Sequence, residues 1–519
     1  MDNAVSDSTK PTGSVVPSNS PSLSTSPVQA GAGGAATHKL GLIALTLLVI
    51  SAMLGGGMFN LPQNMAQSAS LGAVLIAWLI SGLGIFFLAR TFQVLSDVKP
   101  DLKSGIYMYS RSGFGRFAGF QIAWGYWLSA VFANVAYAVL LMDTLNYFFP
   151  PYFKGGNTWE AIVLVSFVFW GMNALVLHGV KRAAMLNVIG AIANFVPIAI
   201  FIVAVALFMK ADMWQSAFWG HLRTSAAAPA PLGSILEQVK STMLVTLWVF
   251  IGVEGAVVVS DKSDQKTVSR ATILAFVLVT IIYVLVSVLP FGLMTQPELA
   301  KLAPPSVAAI LGSLVGQWGV YLINGGLMIA VLSSWLVWTI LLAELPWAGA
   351  KDGSYPKIFA TTNKHGAASV SLWVSTAIMQ AIMILVYFSD DAWNVMLSIT
   401  GVMILPAYIG STGFLWKLLA TRQYPKTAKI GPVQALVVSV LGTVYGVWLV
   451  YAAGLEYMIA GAVFFAIGNL VFVWARREHD PHEFPFTKIE LAVAIGIVAL
   501  AVIAIWMLFA GHLTKVYTP

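Results

Sequence analysis

Three consecutive glycines, Gly55, Gly56 and Gly57, stand within an apolar run of the chain and are closely followed by Asn60 and Pro62. Each glycine costs roughly 0.8–1 kcal/mol in a helix interior. Without side chains, however, the three residues let the backbone unwind and let a ligand approach it closely. Close packing between membrane helices is the alternative explanation for small residues. The contiguous triplet beside asparagine and proline favours a helix that is broken at this point.

A second pair of glycines, Gly252 and Gly255, flanks Glu254 near the middle of another apolar run. Two interrupted helices in corresponding positions are typical of transporters built from inverted repeats. Such a break exposes free N–H groups at the start of one half-helix and free carbonyls nearby. The N–H groups suit a carboxylate and the carbonyls suit an ammonium group. Because a free α-amino acid carries both groups, the pattern predicts an amino acid transporter.

Two acids are candidates for gating or proton coupling. An ionised acid at membrane depth costs about 2.5–3.5 kcal/mol, so Glu254 is a functional candidate. Its alternative role is that of a neutral structural acid bound to a backbone carbonyl. Glu344 is the second candidate, and its alternative is an interfacial acid paired with a loop lysine.

The predicted helices carry no Lys or Arg at depth, which suits a cationic solute. Trp248 and Trp338 offer aromatic faces that attract a cation by roughly 0.5–2 kcal/mol. The alternative for both is packing or a place in the interfacial belts, since the chain has 18 tryptophans. The interior therefore predicts a site for a cationic amino acid, with either tryptophan as a candidate cover.

Thirteen apolar stretches follow Lys39, each near the ~20 residues that a helix needs to cross the hydrocarbon. A short amphipathic segment at 305–313 precedes the eighth stretch. The glycine triplet lies in the first stretch and Glu254 lies in the sixth. The stretches are 41–66, 71–95, 117–149, 159–178, 185–209, 236–259, 270–294, 317–346, 368–388, 392–415, 432–452, 456–475 and 488–511.

The composition agrees with a membrane protein, because only 9% of the residues are charged and 58% are apolar. A soluble domain carries roughly 25% charged residues.

The sequence contains no cysteine, which excludes disulfides, thiolate metal sites and cysteine nucleophiles. The seven histidines fall in loops, tails or helix ends, and the sequence has no phosphate-binding P-loop. We therefore predict no metal, no cofactor and no enzymatic activity.

The basic residues predict how the chain sits in the membrane. With the N-terminus inside and alternating crossings, 22 of the 28 Lys and Arg residues fall on the cytoplasmic side. The basic residues behind the net charge of +7 are thus expected mainly in cytoplasmic loops and ends, which argues against a nucleic-acid partner. This predicts a multi-pass protein of the cell (inner) membrane, with a cytoplasmic N-terminus and an extracytoplasmic C-terminus. The predicted regions are a disordered tail (1–38), a twelve-helix core (39–475) and a connector with a thirteenth helix (476–519).

Over roughly residues 40–475 the sequence resembles the basic amino acid/polyamine antiporters of the amino acid–polyamine–organocation superfamily. The arginine/ornithine antiporters, some of which also have a thirteenth helix, are the most similar branch. The resemblance implies an all-α membrane protein with a LeuT-like 5+5 inverted-repeat fold and broken helices 1 and 6. It rests on the motifs LGGGMFNLPQNMA, KSGIYMYSRSGFG, AWGYWLSAVFANVAY, LWVFIGVEGAVVVSDKS and AGAKDGSYPKIF.

The resemblance also implies roles for individual residues. The backbone of Gly55, Gly56 and Gly57 is expected to hold the substrate carboxylate. Carbonyls at Met53 and near Trp248 and Ile251 are expected to hold the amino group. Trp338 matches the tryptophan that stacks on a guanidinium. The wall of the third helix matches Ala130 and Asn134, and Tyr126 and Glu254 match a pair linked to gating and proton sensing.

Two departures from the family's pattern bear on the choice of substrate. Arginine/agmatine exchangers have a serine at the position of Gly56, so a hydroxyl that could bind the carboxylate is missing here. Glu344 replaces an amide of those exchangers.

The function we expect is exchange of a basic amino acid, arginine first, for ornithine or a related amino acid or amine by alternating access in the lipid bilayer. Three alternatives remain: a proton-coupled uptake permease, a histidine/lysine–amine exchanger and a non-transporting nutrient sensor. The sequence leaves a homodimer open.

Overall fold

The computed structural model describes residues 42–43, 46, 50, 53–100, 102, 106–179, 183–216, 218–219, 232–253 and 265–510. The tail predicted to be disordered, residues 1–38, lies outside the described residues, and so does Glu254. Within the described ranges the chain is almost entirely helical, and its one β feature is an isolated antiparallel bridge between Thr362 and Ala368.

The α-helices are numbered here in chain order. They are α1 Leu61–Ala66, α2 Leu71–Val98, α3 Ile106–Phe114, α4 Arg116–Asn146, α5 Trp159–Leu177, α6 Ala183–Phe208, α7 Ala211–Ser216, α8 Ile235–Phe250, α9 Gln265–Val288, α10 Gln296–Ala300, α11 Ser306–Val315, α12 Gln317–Lys351, α13 Ser369–Val386, α14 Ala392–Ala420, α15 Pro432–Ala453, α16 Leu455–His479 and α17 Lys488–Phe509.

Eleven helices of the described chain are long and apolar enough to cross a membrane: α2, α4, α5, α6, α9 and α12 to α17. Each corresponds to one predicted crossing, with ends that differ by no more than six residues. The prediction of an all-α membrane protein is confirmed, and α11 occupies the segment predicted to be amphipathic. The count of thirteen crossings stays a prediction. The two remaining crossings, 41–66 and 236–259, are those predicted to be broken.

The first predicted crossing changes its backbone conformation at the glycine triplet. Met53 is helical, but Gly55 has extended backbone (φ −107°, ψ 178°). A short 3₁₀ helix then spans Gly56–Asn60 and continues into α1. Pro62 lies in the first turn of α1, where a missing N–H costs no helical hydrogen bond.

The sixth predicted crossing also leaves the helical conformation where the glycines predicted it. Helix α8 begins with a capping box, in which Ser234 and Glu237 satisfy each other's backbone N–H groups. It ends at Phe250, and Ile251 (φ −59°, ψ 126°) is already outside the helix. Gly252 has φ 112°, a conformation that favours glycine because it has no Cβ.

Helices α4 and α14 lie at the centre of the bundle. In their most apolar windows, 89% and 72% of the residues are buried. At one end of the bundle, Arg111 of α3 forms an ion pair with Asp352, at 2.7 Å, and also donates to the Asp352 backbone carbonyl, at 2.9 Å. Two of the motifs quoted above supply this pair, which ties α3 to the end of α12.

Helix α17 packs on α16 and is tied to the core at that same end. The side chain of Asn469 donates to the carbonyl of Ala494, at 3.2 Å. In the connector, Asp480 forms ion pairs with Arg116, at 2.7 Å, and with Arg476 of α16. The connector is therefore attached to the start of α4, and the thirteenth predicted helix itself contacts α16.

Candidate functional site

A small cavity of about 20 Å³ lies between the two helix breaks. This space holds about one water molecule, so its wall must move apart before an amino acid fits. Four other helices contribute to its wall besides the first segment: α4, α8, α9 and α12. The lining residues are Met53, Gly55, Gly57, Met58, Ala133, Tyr137, Trp248, Val249, Ile251, Tyr283 and Trp338.

One tyrosine joins the two breaks from the side. The hydroxyl of Tyr283, which is fully buried in α9, lies 2.8 Å from the carbonyl oxygen of Met53 and 2.9 Å from that of Val249. A single hydroxyl proton is thus shared between a carbonyl at the first break and one at the end of α8. Because a carbonyl oxygen has two lone pairs, both groups retain acceptor capacity toward the cavity.

The three glycines of the triplet have different neighbours. A Cβ built on Gly55 would lie 2.6 Å from the hydroxyl oxygen of Tyr137, and one on Gly57 would lie 1.5 Å from Cζ3 of Trp248. A Cβ on Gly56 would instead lie 2.6 Å from Cγ2 of Val331 in α12. Gly55 and Gly57 therefore let aromatic rings approach the backbone of the cavity wall. Gly56 allows close packing and is not among the lining residues.

An aromatic layer covers one end of the cavity. The ring of Trp248 meets the ring of Trp393 edge to face, with centroids 5.2 Å apart, and the ring of Tyr137 lies 6.0 Å away. Trp393 is buried in the first turn of α14. We call Trp248, Trp393 and Tyr137 the aromatic plug.

The lining residues include no Asp, Glu, Lys, Arg or His. The polar groups of the wall are backbone groups at the two breaks and the hydroxyls of Tyr137 and Tyr283. The start of the 3₁₀ helix at Gly56 adds N–H groups that have no partner within their own helix. The cavity therefore presents donors, acceptors and aromatic faces, without a fixed charge from any described residue that lines it.

Among the residues predicted to bind substrate, Met53, Gly55, Gly57, Trp248, Ile251 and Trp338 line this cavity. From α4, however, Ala133 and Tyr137 line it, whereas Ala130 and Asn134 do not. The amide nitrogen of Asn134 donates to the carbonyl of Ala130, at 2.8 Å, within the helix.

The residues predicted to act in gating lie away from the cavity or outside the described chain. Tyr126 is eleven residues before Tyr137 on α4, which is about 16 Å along the helix axis. Glu344 lies on α12, about 9 Å along the axis from Trp338. Glu254 lies beyond Val253, where the described part of this segment ends.

Tyr283 and Trp393 are the notable residues that the sequence reasoning missed. Tyr283 carries a polar group in the apolar run of the seventh predicted helix, and that signal could have identified it. Nothing in the sequence distinguishes Trp393 from the other tryptophans, of which the chain has 18 in all. Only the packing of α14 brings its ring against the ring of Trp248.

Comparison with known proteins finds similarity over most of the chain. The family model described as amino acid permease matches residues 40–498. The chain is 53% identical over 473 residues to a Clostridium perfringens (strain 13) protein whose name assigns it provisionally to amino-acid transport, covering 91% of this chain and 98% of the relative. It is 49% identical over 478 residues to an arginine/agmatine antiporter of Chlamydia pneumoniae, and 50% identical over 477 residues to one of Chlamydia trachomatis serovar D. Each of these two alignments covers 92% of this chain and 98% of the relative.

Proposed function

We propose that this chain, which belongs to the amino acid permease family, is an antiporter for basic amino acids. Membership of that family makes it a transporter and not an enzyme. Arginine is the solute we propose first, and the exchanged solute is ornithine, agmatine or a related amino acid or amine. The names of the Chlamydia relatives support arginine and agmatine. The observation that carries the proposal is the cavity between the two helix breaks, with Trp338 in its wall.

The substrate's α-carboxylate and α-ammonium group are proposed to bind at the two breaks. The N–H groups at the start of the 3₁₀ helix, from Gly55 to Gly57, attract the carboxylate, because the start of a helix carries partial positive charge. The carbonyls of Met53 and of the last turn of α8 attract the ammonium group. Tyr283 already donates to two of these carbonyls and so holds them side by side.

The cationic side chain of the substrate is proposed to lie against Trp338. The uncharged lining supports this placement, because no described basic residue of the cavity repels a guanidinium group. An indole face attracts such a cation by roughly 0.5–2 kcal/mol. Specificity for a basic solute then comes from the aromatic face and from the distance between that face and the helix breaks.

Alternating access is proposed to proceed by movement of the helices that carry the aromatic plug. Trp248 belongs to the cavity wall and also packs against Trp393 of α14. A substrate that is bound more tightly in the occluded state lowers the free energy of that state and permits the crossing. An empty carrier lacks this contribution and is expected to cross slowly.

The remaining functional assignments are proposals of the same kind. The distribution of Lys and Arg supports a cytoplasmic N-terminus and an extracytoplasmic C-terminus in a cell (inner) membrane. Tyr126, Glu254 and Glu344 are proposed to act in gating or proton coupling, while Ala130 and Asn134 support the wall from α4. Residues 1–38, 39–475 and 476–519 are proposed as the tail, the transporter core and the connector with its extra helix.

The deciding experiment is exchange in proteoliposomes that contain the purified full-length protein. Uptake of labelled arginine is measured into vesicles preloaded with arginine, ornithine, agmatine, lysine, histidine or buffer alone. We expect rapid uptake with arginine and with at least one further basic solute inside, and slow uptake into vesicles that contain buffer alone.

Each alternative function gives a different result in that assay. Equal uptake into loaded and empty vesicles would overturn antiport and favour the proton-coupled permease. Absence of arginine uptake, together with exchange of labelled histidine or lysine for an amine in parallel vesicles, would overturn the choice of arginine. Absence of uptake for every labelled solute, together with saturable arginine binding to the purified protein, would favour the non-transporting sensor.

A further inference from the structure

A second and larger cavity, of about 240 Å³, lies at the end of the bundle opposite to the Arg111–Asp352 ion pair. Its wall is formed by α1 and the residues after it, the second and third turns of α8, the first two turns of α14, and the junction between α15 and α16. We call it the outer cavity. Its lining residues are Asn64, Gln67, Ser68, Lys240, Ser241, Leu244, Val245, Asp391, Asn394, Val395, Leu397, Ser398, Ala452, Ala453 and Tyr457.

The outer cavity differs from the central one because its wall carries two opposite charges. Lys240 of α8 and Asp391, the N-cap of α14, both line it. The ammonium group of Lys240 lies over the ring of Tyr451, 4.9 Å from the centroid. The carboxylate of Asp391 accepts hydrogen bonds from the backbone and the side chain of Asn394, at 3.2 and 2.7 Å. A carboxylate has about four acceptor positions, so it can accept further donors from a ligand.

The aromatic plug separates the two cavities. Along α8, Leu244 and Val245 line the outer cavity and Trp248, one turn later, lines the central one. Along α14, Asn394 lines the outer cavity, and its neighbour Trp393 packs against Trp248. A solute in the outer cavity would therefore touch the same two helices that carry the plug.

We propose that the outer cavity is a second binding site for the transported basic amino acid, occupied before the plug opens. The substrate's α-carboxylate lies toward Lys240 and Ser241, and its cationic side chain lies toward Asp391. A ligand with both a carboxylate and a remote cation matches these two charges, and the outer cavity offers more room than the central one. This inference rests on the proposed function, because it takes the same solute to be the ligand.

The test is equilibrium binding of labelled arginine to the purified full-length protein over micromolar to millimolar concentrations. Asp391→Asn removes the charge but keeps a residue type that caps helices well, so α14 retains its N-cap. Lys240→Gln removes the other charge from a different helix. Asp390→Asn is the matched control, because this exposed neighbouring acid is not part of the cavity wall.

We expect wild-type protein and Asp390→Asn to bind a second equivalent of arginine, weaker than the first. Asp391→Asn and Lys240→Gln should each weaken the second equivalent by about tenfold, as expected for the loss of a charged hydrogen bond. The first equivalent should keep its affinity, which also reports that the variants are folded.

Two results would overturn the outer site. A single equivalent in wild-type protein that Trp338→Leu weakens would remove the outer site and leave the proposed function intact. Equal binding curves for Asp391→Asn and Asp390→Asn would do the same. No saturable arginine binding at all would overturn the proposed function together with this inference.

Discussion

Replacing Gly57 with alanine places the smallest side chain between the broken first helix and the aromatic plug. The new Cβ would lie 1.5 Å from Cζ3 of Trp248 and 2.5 Å from both Cε3 and Cη2. Non-bonded carbons are optimally about 3.5–4.0 Å apart, so the indole must retreat by roughly 2 Å. Because Trp393 and Tyr137 pack against the same indole, that movement repacks the whole plug.

Overpacking of a tight site typically costs about 1–3 kcal/mol. If this cost falls on the state with the closed plug, the concentration of arginine that half-saturates exchange should rise roughly 5- to 150-fold. The measurement is arginine exchange in proteoliposomes at matched protein density. Gly325→Ala is the control, since outside the neighbouring backbone of α12 no heavy atom lies within 4 Å of its Cβ position.

The expected result is a large loss of apparent affinity for Gly57→Ala and none for Gly325→Ala, with similar amounts of monodisperse protein. Wild-type half-saturation in a well-folded Gly57→Ala variant would refute the proposed contact between Gly57 and Trp248. An equal loss in both variants would show that any added methyl group disturbs the bundle, and it would remove the specific argument.

Three further predictions concern the central site. Tyr283→Phe leaves two buried carbonyls without their shared donor, and losing such a hydrogen bond costs about 1–3 kcal/mol. The variant should therefore exchange arginine at least about fivefold more slowly. An unchanged rate would show that the bridge is dispensable. Trp338→Leu should weaken arginine binding by about fivefold, because it removes about 1 kcal/mol of cation–π attraction. The control Trp318→Leu, on the exposed part of the same helix, should leave the affinity unchanged. Equal affinities of the two variants would remove Trp338 from the site. Glu254→Gln should flatten the pH dependence of exchange, and a retained profile would leave that residue a structural role.

The sequence predicted the eleven continuous crossings with ends close to those of the structure. These predictions succeed because a crossing needs about 20 consecutive apolar residues, and that condition can be read from each segment without knowledge of its neighbours. The two breaks were also predicted from local features, since glycine lowers the stability of any helix that contains it. Gly55 and Gly252 have the non-helical backbone that this reasoning requires.

Which residues of α4 face the cavity depends on the rotation of that helix. Ala133 and Tyr137 line the cavity, and the roles of Ala130 and Asn134 stay a prediction. A shift of three residues rotates a helix face by about 60° from a full turn. Helix α4 is buried on nearly all sides, so it has no polar face in its sequence that shows which side points inward. Its rotation about its own axis is therefore set by the helices that pack against it.

The sequence by itself thus determined that the chain is a helical membrane protein, where it crosses, and which two crossings lose helical conformation. It also placed Trp248, Trp338 and the glycines among the candidates. Only the tertiary structure decided that Tyr283 joins the two breaks, that Trp393 completes the plug, and that Lys240 and Asp391 share a second cavity. Each of these contacts joins residues far apart in the chain, and their meeting depends on how whole helices pack.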